Sequence, residues 1–234
     1  MSKITNLILD CETIDLKYNF ICDLSWAIVS KNKIIAVKNY IVQENLDRMA
    51  TGSFSGAKMS ATMAEVKNGN AEIKSYSEIC AELASDLEMA NYVYAYNASF
   101  DRGKIIATAK SLQLPEWAEH FEKIENFDKW RCLWAWATNT ILYKKSFIDW
   151  CEVNGQISEK GNCKTSAETT LKFIMNDLDY VEQHTARADV LDEFIIYLAC
   201  KNMVKKEFGD RVLDDRNFKG TWHNIAKLKK AFNS

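Results

Sequence analysis

Two acids, Asp10 and Glu12, stand at the end of an apolar run, Leu7-Ile8-Leu9, within NLILDCET (Asn6–Thr13). A short continuous apolar run bounded by polar residues suits a strand buried on both faces. Residues two apart on a strand point to the same side, so Asp10 and Glu12 project together and Cys11 turns away. A rise of about 3.3 Å per residue sets their Cα atoms about 6.6 Å apart. Carboxylates so spaced can straddle two divalent ions about 4 Å apart, the arrangement of two-ion hydrolysis. Taken alone, the same pair is also what a solvated strand end carries.

Three further residues have matching chemistry. Asp101 lies in Asn97-Ala98-Ser99-Phe100-Asp101, and His184 and Asp189 lie in Glu182-Gln183-His184-Thr185-Ala186-Arg187-Ala188-Asp189. Hard ions want oxygen ligands, so carboxylates are the apt donors. A histidine, whose ordinary pKa is near 6.5, can take a proton from an attacking water. Each residue has a plainer reading: a surface histidine before a helix, a helix-surface acid, and Asp192 as a rival carboxylate one turn beyond Asp189.

The elements that must position these residues follow from periodicity. Phe20–Val29 and Ile34–Val42 read as strands joined through Ser30-Lys31-Asn32-Lys33, a hairpin without a strong Asn-Gly signal. Glu44–Glu72 is the least regular stretch, a functional loop or a mobile surface loop, with one short helix near Ser60–Val66. Ser75 and Glu78 form a capping box, and Ile79, Leu83 and Leu87 give the apolar stripe of a helix over Ser77–Ala90. Tyr92–Tyr96 is then a strand parallel to the first, and Asn97–Asp101 opens the next helix, which ends before Pro115. Asp101 therefore sits at the C-terminal edge of a central strand, where open α/β sheets build their sites. Trp130–Leu142 has a helical period, although Phe127–Cys132 fits equally a last strand feeding that helix. Its tryptophans, at helical spacing, read as core rather than as base-stacking platforms. Thr165 and Glu168 suggest a second capping box, starting a helix to about Leu178. From Ala188 a long helix runs toward Lys206, with His184 just before it and Asp189 in its early turns.

Composition narrows the class. The 234 residues, 47% hydrophobic and 26% charged, suffice for one α/β domain. We read a single domain over 1–234, with a core of about 4–206 and a basic extension of about 207–234. No apolar run approaches the roughly 18 residues that span a bilayer, so no membrane association is expected. MSKITN does not begin a secretory signal. The seven scattered cysteines contain no CxxC pair, which suggests a reducing, cytoplasmic setting. A net charge of −2 is not that of a protein coating nucleic acid by charge. Any such contact must be local or bridged by metal.

Together, Asp10-Cys11-Glu12-Thr13, Asn97-Ala98-Ser99-Phe100-Asp101 and His184 through Asp189 resemble, in order and internal spacing, the three motifs of the DEDDh 3′→5′ exonucleases. The likeness covers roughly residues 4–200. It implies an RNase H-like fold, a five-stranded mixed β-sheet flanked by helices. It implies two divalent ions, Mg²⁺ or Mn²⁺, with Asp10, Glu12 and Asp189 on one, Asp10 shared with a second, and Asp101 holding that second ion. It makes His184 the general base. Thr13 and Ile14 would contact the terminal nucleotide, and Asn97 would orient a phosphate or cap the following helix. The expected partner is nucleic acid with a free 3′ end, single-stranded DNA favoured over RNA, with nucleoside 5′-monophosphates as products. An exoribonuclease, a proofreading subunit with a docking tail, and a non-catalytic nucleic-acid-binding module are the alternatives. The chain departs from the family at Ile14-Asp15, where Thr-Gly often follows the first Thr, and at Tyr96, where His often precedes the Asn. Neither position supplies a carboxylate, so the departures bear on the substrate branch.

Overall fold

The computed structural model describes residues 5–14, 20–51 and 56–208. Six strands form one mixed sheet: β1 (Thr5–Thr13), β2 (Ile21–Ser30), β3 (Lys33–Val42), β4 (Glu72–Lys74), β5 (Ala90–Ala95) and β6 (Trp130–Cys132). Their spatial order is β4-β3-β2-β1-β5-β6. The helices are α1 (Leu46–Thr51), α2 (Gly56–Lys67), α3 (Tyr76–Met89), α4 (Ala98–Ser111), α5 (Pro115–Glu122), α6 (Ile124–Phe127), α7 (Leu133–Ala137), α8 (Lys145–Val153), α9 (Ala167–Met175) and α10 (Ala186–Phe208). This is the mixed β-sheet flanked by helices that was expected, with six strands in place of five. The extra strand is β4, three residues paired parallel to Tyr40–Val42. Three residues are too few to show a period of two.

β1 and β2 are antiparallel, β2 and β3 are antiparallel, and β1 and β5 are parallel. The β2–β3 turn is tighter than its sequence suggests. Lys31 (φ 50°) and Asn32 (φ 63°) both adopt left-handed backbone, the type I′ geometry that matches strand twist. Contacts cluster into two compact units. The first, 1–131 with 183–191, contains every residue of the candidate site. Its core gathers Leu7, Leu9 and Cys11 of β1 with Leu24 and Trp26 of β2. Ile79, Leu83 and Leu87 of α3, Ile105 and Ala109 of α4, and Phe121 of α5 complete it. The alternation of β1 is thus used on both faces, because Ile8 is buried as well.

α3 carries the expected capping box, with Glu78 N–H on Ser75 Oγ and the Glu78 side chain reaching back. The region 44–72 is more regular than expected: α2 contains and extends the short helix expected near Ser60–Val66, and α1 precedes it. α2 has only a weak apolar stripe, but it is rich in the helix formers Ala, Met, Glu and Lys, and its Met59 and Val66 pack against Ile14, Ile41 and Met49. Among the described residues, the second unit holds 132–182 and 192–208. There Phe147 and Trp150 of α8 pack edge-on to Phe173 of α9, at 5.1 and 5.5 Å between ring centres. Trp136 is buried against Tyr197, and the Trp134 indole N–H donates to Thr165 Oγ1. These rings serve packing. The cap of α9 is Ser166, and the helix ends at Asn176, whose left-handed backbone (φ 54°) stops it short of Leu178. The basic stretch 217–230 lies outside the described residues. No helix among the described residues is long and apolar enough to cross a membrane.

Candidate active site

The end of β1 supplies the first acids. Asp10 pairs in register with Ser25 and Glu12 with Asp23, and a bulge follows between Glu12 and Thr13. Register partners share a face, so Asp10, Glu12, Ser25 and Asp23 form one polar face at the strand end. Cys11 faces the apolar core, as the alternation requires. Thr13 is half-buried. Ile14 is 5% exposed and packs with Cys22, Ile41, Met49 and Ala71.

The end of β5 supplies Asn97 and Asp101. Asn97 has left-handed backbone (φ 75°), a conformation Asn tolerates better than most residues. Its carbonyl accepts Phe100 N–H at 2.7 Å and its Oδ1 accepts the Ser99 hydroxyl at 3.2 Å. The side chain does not cap α4. Asp101 lies in the first turn of α4, where the helix end favours negative charge. Only 2% exposed, its Oδ1 accepts the Cys11 N–H and the Cys11 thiol, each at 3.3 Å. Burial pushes its carboxyl up to about 7, with the Glu12 charge adding in the same direction.

The start of α10 supplies the remaining pair. His184, exposed, has left-handed backbone (φ 54°) two residues before the helix. Thr185 caps the first turn: its Oγ1 accepts Ala188 N–H at 3.3 Å and its carbonyl accepts Asp189 N–H at 3.0 Å. Asp192 is turned elsewhere, accepting the Tyr180 hydroxyl.

Glu12, His184 and Asp189 converge. One ligand atom from each, two carboxylate oxygens and an imidazole nitrogen, lies within 4.8 Å of the others. Asp10 and Asp101 are not in that group, although Asp10 shares the strand face of Glu12. Residues 172 positions apart in the chain thus meet within the reach of one cation. The donor set, two carboxylates with one imidazole, could hold a divalent metal ion.

Lys58, Glu65 and Asp23 at this face were missed from sequence. Lys58 of α2 donates to Glu12 Oε2. Seven positions on, two turns along the same helix face, Glu65 pairs with Arg187 of α10 at 3.8 Å. No pattern in the region pointed to either contact. The third is Asp23, wholly buried in β2. Its signal was present: Asp23 and Ser25 are polar at alternate positions of an otherwise apolar strand. Burial pushes its carboxyl up to about 7, against a lowering by the Ala186 N–H.

No protein-family model matches the chain, and no curated protein matches it in sequence. Solved structures do match. The zinc-ion-bound form of the E. coli exonuclease I–single-stranded DNA complex superposes with a TM-score of 0.55 at 14% identity, over 89% of this chain and 42% of that one. E. coli exonuclease I in complex with a dA16 oligonucleotide gives 0.54 at 14%, over 87% and 41%. Exonuclease X in complex with 5′ overhanging duplex DNA gives 0.49 at 14%, over 93% and 99%. The chain spans less than half the length of the exonuclease I chains. At this identity the likeness is one of fold.

Proposed function

We propose that this chain is a metal-dependent 3′→5′ exonuclease of the DEDDh type, acting on single-stranded DNA and releasing nucleoside 5′-monophosphates. The observation that carries the reading is the convergence of Glu12, His184 and Asp189 within 4.8 Å on an exonuclease fold. The DNA-bound neighbours support nucleic acid as the substrate class.

Asp10, Glu12 and Asp189 would hold one divalent ion, with Asp10 and Asp101 on a second. When bound, such ions relieve charge on the phosphorane, favour ionisation of the attacking water and stabilise the leaving oxygen. His184, exposed beside both carboxylates, takes the proton of that water as its oxygen adds to phosphorus. The bond to the 3′-oxygen of the preceding nucleotide breaks, and that oxygen is protonated as the terminal nucleotide leaves as its 5′-monophosphate. Thr13 would meet the 3′-terminal nucleotide, backed from the core by Ile14. Asn97 would hold the β5–α4 turn that presents Asp101.

The test is a digestion panel with 5′-labelled single-stranded DNA, duplex DNA and RNA. A ladder shortening from the 3′ end, abolished by EDTA and restored by Mg²⁺ or Mn²⁺, is expected. The Asp10→Ala variant should be folded and inactive. Release of the 5′ label as mononucleotide at the earliest times, or undiminished cleavage by Asp10→Ala in EDTA, would overturn the reading. Faster digestion of RNA than DNA would move the substrate to RNA.

A further inference from the structure

Asp23 has no part in the chemistry above, yet it joins the two halves of the site. It stands opposite Glu12 in the β1–β2 register. Its Oδ2 accepts the Ala186 N–H at 3.1 Å, across 163 residues of sequence. Ala186 is the first residue of α10, fully buried, and its N–H is one of the helix-end donors that has no partner within the helix. Two residues before it is His184 and three residues after it is Asp189.

The choice of a carboxylate at this point is informative. Asp23 is 0% exposed, and among the described residues its Oδ1 has no hydrogen-bond partner. A buried carboxylate with one oxygen unmatched is an unfavourable way to fill space, and packing alone would select an apolar side chain. The carboxylate is also near the positive end of α10, where negative charge is stabilised. Meanwhile the backbone of His184 is in a sparsely populated conformation that its surroundings must hold in place. The preceding segment 178–185 has no helix or strand to do so. Two residues to either side of His184, the Glu182 N–H donates to Glu168 Oε2 at 3.4 Å and the Ala186 N–H to Asp23, and of these two only Asp23 stands on the strand pair that carries Glu12.

We propose that Asp23 is a positioning residue: its side chain ties the start of α10 to the strand pair that carries Glu12, and so sets where His184 and Asp189 stand against Glu12. The catalytic consequence rests on the nuclease reading, whereas the tie itself does not.

The test compares the full-length wild type with Asp23→Ala, Asp23→Asn and Asp23→Glu. Asn keeps an acceptor oxygen in place. Ala removes it. Glu keeps the charge but moves the acceptor by one methylene, and stands in should Ala fail to fold. Three readouts apply: hydrogen exchange of the peptide covering residues 183–191, Mn²⁺ affinity by calorimetry, and kcat and KM on labelled single-stranded DNA. For Ala and Glu, exchange in 183–191 should rise about tenfold while the amides of β1 and β2 keep their protection. Their kcat should fall about 10²-fold with KM little changed, as expected for misplaced catalytic groups. Their Mn²⁺ affinity should weaken with the displacement of Asp189, and Asn should restore all three readouts to near wild type. The proposal is overturned if Ala or Glu leaves exchange in 183–191 unchanged. It is equally overturned if exchange rises uniformly across the sheet while kcat per folded molecule stays at the wild-type value. A wild type inactive on every substrate would sink the nuclease reading, and the exchange and Mn²⁺ readouts would still decide the tie.

Discussion

His184 is the residue on which catalysis and metal binding can be told apart. It lies within 4.8 Å, ligand atom to ligand atom, of Glu12 and Asp189, so proximity alone suits either a base or a ligand. As a base, His184→Ala should lower kcat by about 10² to 10⁴ with Mn²⁺ affinity by calorimetry nearly unchanged. As a ligand, the affinity would fall with the rate, and the assignment of the base would fail. Asp189→Ala should weaken Mn²⁺ binding directly. Asp192→Ala should alter neither, because its carboxylate is engaged by Tyr180. A loss of Mn²⁺ affinity in Asp192→Ala would mean that the acid of the third motif has been misassigned.

At the scale of elements, the sheet is locked to α3 by a charged cluster. Asp86 of α3, 6% exposed, accepts the Trp26 indole N–H at 2.8 Å and pairs with Lys38 at 2.7 Å. Removing it leaves a buried indole donor unmatched. Asp86→Ala should therefore lose about 3 kcal/mol in urea unfolding, with activity per folded molecule retained. A loss below about 1 kcal/mol would show that the lock is not a stabilising one. One turn earlier, Glu82 accepts Lys74 and the Tyr40 hydroxyl, each at 2.7 Å, with Lys38 at 3.3 Å. Burial raises its carboxyl, but these donors outweigh it and hold it near 2 against 4.5. A carboxylate depressed in the folded state contributes stability that is fully present above its unfolded pKa and disappears as pH falls through the folded one. The Glu82 contribution is therefore present above about pH 5 and lost between there and pH 2. Melting temperatures of Glu82→Gln, compared with wild type at pH 7 and pH 3, should differ clearly at the higher pH and by less than half as much at the lower. A constant difference would remove Glu82 from the acid response.

For the whole molecule, charge sets the kind of binding to expect. A net charge of −2 leaves little general attraction for a polyanion, so affinity must come from the few phosphates nearest the site. Each phosphate neutralised on a single strand contributes about −0.7 to the slope of log affinity against log salt. Contact with three or four predicts a slope of about −2 to −3, read by anisotropy with inactive Asp10→Ala. A slope steeper than about −5 would mean a long backbone track and a different surface for DNA.

The sequence by itself suggested the kind of chemistry and determined the elements around its three motifs and the ends on which the acids stand. Those are short-range properties: the apolar run before Asp10, the Ser75 capping box, and the spacing from His184 to Asp189 depend on neighbours within a turn or a strand. It also read the long α10 and the antiparallel start correctly. What only the tertiary structure decided is which groups meet. It draws Glu12, His184 and Asp189 together, sets Asp101 on Cys11 and buries Ile14. It also brings Lys58 to Glu12 from a region expected to be irregular, and ties Asp23 to Ala186. β4 escaped notice because it is three residues long, and α2 was read only over Ser60–Val66 because its apolar periodicity is weak. The long-range contacts escaped for a different reason. Periodicity reports which face of an element is buried, whereas the partner across that face is chosen by sheet register and helix placement, which couple residues separated by up to 177 positions in this site.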